Sequence, residues 1–309
     1  MDDRGILGGM HPFVKLILLA LVMVGSTLVV FVVGMLIAMP FFGPDMLRQL
    51  GDTGPENIQL LRYVQLLSHL GLFVGASLVF AYLVGGRPLR YLGSRGHPGM
   101  TALVLGALVM IAALPMVNFL VLINEQLSLP ESLRNLEEWM RRTEEAAEAA
   151  TRLFLDVSTW QGLLFNIFLI ALIPAIGEEF VFRGIVQKLF RQWTGNVHLG
   201  VIIAAVLFSA MHLQFFGFLP RLLLGLLLGY MFVYTRNIWV PVFAHFFNNA
   251  AAVIIYFLAH NDHIDFDVEG VGAGRFAPLL FLFSLLMVLL LLRGMWRVSR
   301  HRHLLKDPP

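Results

Sequence analysis

The sequence predicts an all-α integral membrane protein of about eight transmembrane helices, with an amphipathic helix outside the membrane between the third and fourth. Three observations carry that prediction. Of 309 residues, 58% are hydrophobic and only 14% are charged, against about 25% charged in a soluble domain. The apolar residues gather into stretches long enough for a bilayer, where about 20 suffice. Basic and acidic residues divide between alternate connections, as a membrane topology demands. A soluble fold of this size would leave too much apolar surface in water, and a disordered chain has the opposite bias. There is no cysteine, which excludes disulfides, thiolate metal sites and a cysteine nucleophile.

Eight stretches qualify, at about 13–40, 61–85, 99–123, 158–190, 197–216, 219–235, 238–259 and 276–293. The first outruns a signal-peptide core and lacks a small-residue cleavage site, so it is expected to remain as an anchor. All must be helical, because hydrocarbon offers the backbone no hydrogen-bond partner. With the N-terminus placed inside, the inner segments hold thirteen basic and three acidic residues, and the outer segments eight and fifteen. Both termini are therefore expected on the cytoplasmic side, a division hidden by the net charge of +2. The basic stretch from Arg293 to Lys306 abuts a span and reads as a contact with membrane lipids, not with nucleic acid. No organelle-targeting signal is evident, which points to a prokaryotic cytoplasmic membrane. Oligomeric state has no signal in the sequence.

The chain divides into 1–130 with three spans, 131–156 as the amphipathic outer helix, 157–259 with spans four to seven, and 260–309 with a loop, the last span and the tail. In the amphipathic segment, Leu133, Leu136, Met140, Ala147, Ala150 and Phe154 recur at helical spacing between Glu and Arg, which suits a helix in the interface or over the bundle. The loop at 260–274 carries His260, Asp262, His263, Asp265, Asp267 and Glu269. Its spacing is not that of an EF-hand, and it reads as a solvated acidic loop. No internal repeat of the kind that builds transporters from two halves is present.

Ionised side chains inside a span cost roughly 2.5–3.5 kcal/mol each on insertion scales. This chain concentrates them. The fourth span holds Glu178, Glu179 and Arg183, the fifth ends on Phe208 and His212, and the seventh holds His245, Asn248 and Asn249. No other span shows a comparable set. Glu179 and Arg183 are four apart and placed to form an ion pair. Glu178 is turned about 100° away, free to face a cavity. His245 and Asn249 share a face, whereas Asn248 matches it poorly. Pro174 removes a backbone donor one turn before Glu178, so a kink and room for water are expected there. Gly225 and Gly229 are read as close helix packing.

A carboxylate, two imidazoles and an amide around a wet intramembrane cavity suit peptide hydrolysis. Glu178 with His212 would activate water, and His245 with Asn249 would stabilise the oxyanion. No serine has a His-Asp setting. Two other readings use the same residues: a non-catalytic immunity or peptide-binding partner, in which the polar cluster serves helix packing, and a proton or ion relay.

The motifs Glu178-Glu179-x-x-x-Arg183, Phe208-x-x-x-His212 and His245-x-x-x-Asn249 resemble, in order, those of the CAAX-protease and bacteriocin-processing family (CPBP, also called Abi) of intramembrane proteases. The resemblance covers about 158–255. It implies a helical endopeptidase with Glu178 and His212 as water activators, His245 and Asn249 as oxyanion stabilisers, and Glu179, Arg183 and Phe208 in support. It implies a peptide or protein substrate, lipidated in some relatives, cleaved near the cytoplasmic side. The family is commonly described as metalloproteases, and Glu178, His212 and His245 could hold zinc with an open position. The sequence lacks H-E-x-x-H, and a glutamate-activated water without any required cofactor is an equally sound reading.

Overall fold

A computed structural model describes residues 5–50, 54–265, 270–271 and 274–306, and these are helices joined by turns. Of the charges weighed above, Asp2, Asp3, Arg4, Asp52, Asp267, Glu269 and Asp307 lie outside the described residues. Among the described residues, nine longer helices organise the fold: α1 (Pro12–Phe42), α2 (Ile58–Gly85), α3 (Met100–Glu125), α4 (Arg134–Leu155), α5 (Trp160–Thr194), α6 (Val197–Ala210), α7 (Phe218–Thr235), α8 (Trp239–His260) and α9 (Ala277–Lys306). Seven of them are long and apolar enough to cross a membrane, and α6 is a shorter apolar helix. The fifth expected span therefore ends earlier than 216. Leu213, with φ of 53°, turns the chain, and residues 211–217 form a loop leading into α7.

Local chemistry sets the helix ends. Gly195 closes α5 in the left-handed region at φ 67°, where a side chain would be strained. Asn196 then caps α6, its side-chain oxygen accepting from the N–H groups of His198 and Leu199 at 2.8 and 3.2 Å. Thr159 caps α5 in the same way, accepting from Gly162 N–H at 3.1 Å. The last helix runs past Arg293 to Lys306, so the basic tail continues the span.

Two apolar cores flank the site. One joins α1, α2, α5 and α6 around Phe80, Phe180, Phe182, Ile185 and Phe208; the other joins α3, α7, α8 and α9 around Val109, Met231, Val240 and Val288. Between them run α5 and α8. A π-helical turn covers Ile167–Leu172, ending two residues before Pro174, where the kink was expected. Two more π turns follow, at Phe182–Val186 in α5 and Leu70–Gly75 in α2. Such turns insert a residue and re-aim the side chains beyond it.

The amphipathic α4 buries none of its side chains fully. It lies against the bundle with its C-terminal end fixed, since the Phe154 carbonyl accepts from Arg62 and Asn166, each at 2.8 Å.

Candidate active site

Glu178 sits midway along α5, roughly 25 Å of helix from either end, and is only 6% exposed. Glu179, Arg183 and His245 are buried beside it. The expected pair forms: Arg183 Nη1 donates to Glu179 Oε1 at 2.8 Å. The same oxygen accepts from His245 Nδ1 at 2.9 Å. The other face of the His245 ring turns to Glu178, with Nε2 4.0 Å from Oε2. One imidazole thus bridges the two glutamates.

Arg183 is held from a second direction as well. Its Nη2 donates to the Gly225 carbonyl at 3.0 Å, and one turn on, Gln187 donates to the Gly229 carbonyl at 3.2 Å. The two glycines let α6 lie close to α7: a Cβ on Gly225 would stand 3.0 Å from Ala205 Cα, and one on Gly229 2.8 Å from Val201 Cγ1. The expected packing role is met, and the glycine carbonyls also serve as acceptors for α5.

Phe208 forms a plate around which the polar groups stand. The Arg183 guanidinium lies 4.7 Å from its ring centre, and the rings of His212 and His245 meet it edge-on at 5.2 and 5.9 Å. His212 Nδ1 lies 2.9 Å from the Phe208 carbonyl. A carbonyl only accepts, so Nδ1 carries the proton, and in the neutral ring the lone pair is on Nε2. His212 is within electrostatic reach of Glu178, beyond ion-pair contact. The Asn249 side-chain oxygen accepts from Asn248 at 3.2 Å. Ser209 donates to the Phe218 carbonyl at 2.7 Å, tying the ends of the loop.

One polar neighbour of Glu178 was not anticipated. His69, on α2, places Nε2 3.8 Å from Glu178 Oε1. The second span was read as lacking a comparable polar set, yet Arg62, Gln65, Ser68 and His69 lie along it. The available signal was a histidine eight residues into an apolar stretch; its pairing across helices had none. Asn124 at the end of α3 was equally hidden. It clamps the loop that carries His212, donating to the Phe215 carbonyl and accepting from Leu219 N–H, both at 2.8 Å.

Beside that loop is a cavity of about 500 Å³ between α3, α4 and α7, lined among others by Glu125, Arg141, Glu144, Glu148, Phe216 and Arg221. Glu144 accepts from Phe216 N–H at 2.7 Å, and the Arg141 guanidinium lies 4.3 Å from the Phe216 ring centre. Arg221 is within reach of Glu144 on the cavity side and of Glu178 on the other. On α4, the Arg141 side chain and the Leu129 N–H hold the Glu137 carboxyl below its usual range.

The comparison with protein families decides what this arrangement resembles. Residues 160–251 match the family described as type II CAAX prenyl endopeptidase Rce1-like. That segment is similar to the Rce1-like family. Two proteins of Bacillus subtilis (strain 168) are related. "Uncharacterized protein YpbD" is 32% identical over 89 residues, which is 28% of this chain and 42% of that protein. "Putative membrane peptidase YdiL" is 30% identical over 105 residues, 34% of this chain and 42% of that protein. The chain thus spans less than half the length of these relatives. No solved structure matches it. The Rce1-like segment contains Glu178, Glu179, Arg183, Phe208, His212, His245 and Asn249. The first three helices, with His69 and Asn124, and the amphipathic α4 lie outside it.

A metal was tested against the Rce1-like residues. A tetrahedral zinc with bonds of ~2.1 Å draws its ligand atoms to about 3.4 Å of one another. Glu178 Oε2 and His245 Nε2 are 4.0 Å apart, although the Glu179 carboxylate on His245 Nδ1 is the kind of partner a metal-ligating histidine has. Among the described residues, no three His, Asp or Glu side chains are placed to hold an ion. Glu178, His212 and His245 as placed do not fit zinc, and no step below is routed through one. In the acidic loop, His260 instead pairs with Asp156 at 3.1 Å and His263 stacks on Trp160.

Proposed function

We propose that this protein is an intramembrane endopeptidase that hydrolyses peptide bonds with a water activated by Glu178. The observation that carries the reading is the setting of Glu178: a buried carboxylate with no side-chain hydrogen bond within 3.5 Å among the described residues, faced by imidazoles from different helices. Such a group has acceptor capacity to spare and a gap that suits a bridging water.

In this reading Glu178 takes a proton as the water oxygen adds to the peptide carbonyl carbon. The lone pair on His212 Nε2 shares that work. His245 gives its Nδ1–H to Glu179, so it donates through Nε2 to the developing oxyanion only when doubly protonated. Asn249 joins as an oxyanion donor if its amide turns from Asn248 toward the site. The proton held on Glu178 passes to the leaving nitrogen as the C–N bond breaks, and the carboxylate is restored. Arg183 balances Glu179, which keeps His245 oriented.

The substrate class follows the family description. A prenylated C-terminal CAAX peptide, with its lipid in the bilayer, would present its scissile bonds at a membrane-embedded site. The charge asymmetry supports an orientation with both termini inside.

The test is hydrolysis by purified protein in nanodiscs, offered a farnesylated CAAX peptide and its unmodified counterpart. Cleavage is expected for the lipidated peptide, and Glu178→Gln should lower it by about 100-fold or more. Equal turnover by that variant would sink the assignment.

A further inference from the structure

We propose that His69 is a positioning residue for Glu178, holding carboxylate oxygen Oε1 so that Oε2 faces the reacting water. The inference rests on the peptidase reading and deepens it with a residue from outside the Rce1-like segment. Its Nε2 lies 3.8 Å from Oε1, while His245 faces Oε2. The two imidazoles therefore divide the carboxylate between them. The gap to His69 closes with one bridging water or a small shift, and such contacts often shorten only when substrate is bound.

The packing is built to bring this ring to that oxygen. A Cβ on Gly177, adjacent to Glu178, would stand 2.7 Å from Phe73 Cβ, and one on Gly71 would stand 2.7 Å from Thr27 Cα. Glycine at both positions seats α2 tightly between α1 and α5. The π turn at Leu70–Gly75 begins immediately after His69 and directs Phe73 back onto the ring, 5.5 Å centre to centre.

The inner side of the ring can hold either tautomer. His69 Nδ1 lies 3.1 Å from the Gln65 carbonyl and 3.2 Å from Gln65 Nε2. The carbonyl accepts from an Nδ1–H, and the amide donates to an Nδ1 lone pair. A ring supported both ways can meet Glu178 as donor when the carboxylate is ionised and as acceptor when it has taken the water's proton. A histidine that only satisfied its own helix would need no such orientation of Nε2. Among the described residues, other charged or titratable groups near Glu178 include His245 of α8, His212 of the 211–217 loop, Arg221 of α7 and Arg183 of its own helix.

The experiment compares wild type, Glu178→Gln, His69→Gln, His69→Ala and the Glu178→Gln/His69→Gln double variant in nanodiscs. His69→Ala should lower kcat about 10- to 100-fold with KM within about twofold. His69→Gln, which keeps an amide donor, should lose less, and added imidazole should restore part of the His69→Ala rate. A kcat within twofold of wild type, or a loss that neither imidazole nor glutamine relieves, would overturn the proposal. If wild type does not cleave, or Glu178→Gln cleaves as fast, the peptidase reading fails, and the same proteins still test the pairing by thermal unfolding. Non-additive shifts in Tm between the single and double variants support it, and additive shifts overturn it.

Discussion

His245 Nδ1 and Glu179 Oε1 stand 2.9 Å apart, joining α8 to α5 inside the bundle, and the same oxygen receives Arg183 at 2.8 Å. Arg183 and Glu179 are 1% and 0% exposed, so both depend on buried partners, Arg183 on the Gly225 carbonyl as well. Glu179 thus has a structural task, and it leaves Glu178, one residue earlier, to face the imidazoles of His69 and His245.

Removing one partner should leave a buried charge. Glu179→Leu is expected to destabilise the protein by about 3–5 kcal/mol, while replacing Glu179 and Arg183 together by leucines should recover much of that loss. Thermal unfolding of the three variants in detergent measures it. Equal losses in the single and double variants would contradict the pairing.

Gly177→Ala tests the approach of α2 to α5. The new methyl would meet Phe73 Cβ at 2.7 Å, so α2 must move, at a cost of about 1–3 kcal/mol. Peptide hydrolysis should fall as well, because the shift separates His69 from Glu178. A variant with wild-type stability and turnover would show that the helices are not held this tightly.

Glu144→Gln keeps an acceptor for Phe216 N–H and should be mild, whereas Glu144→Ala should free one side of the loop bearing His212. A fall in kcat of about tenfold is expected for the alanine variant, with little change in Tm, because α4 buries none of its side chains fully. Steady-state kinetics on the farnesylated peptide separate the two. Wild-type kcat for the alanine variant would remove α4 from the account of the site.

Prolonged dialysis against a strong chelator should leave turnover unchanged, since the His and Glu side chains at the site are not placed around a common point. The measurement is residual activity beside the metal content of the same sample. Loss on chelation with recovery on adding zinc would restore the metal reading of Glu178, His212 and His245.

The membrane class, the approximate spans, the surface helix and the polar motifs were legible in the sequence, because each follows from local composition or from helical spacing. The ion pair of Glu179 with Arg183 was legible for the same reason, being four residues apart on one helix. Spacing puts Asn249 on the face of His245; that its oxygen accepts from Asn248 is a matter of side-chain conformation, which spacing does not give.

What only the tertiary structure decided lies between helices. Periodicity gives the direction of a side chain around its own axis and says nothing about which neighbour it meets. His69 reaches Glu178 across more than a hundred residues of sequence, through glycine contacts at Gly71 and Gly177 and a π turn that no residue pattern announces. His245 likewise appeared as the partner of its helix neighbour, and packing gave it to Glu179. The sequence determined which polar groups enter the membrane, since the cost of burying each is local. Their partners were set by how closely the helices pack, which depends on the small residues and irregular turns of several segments together.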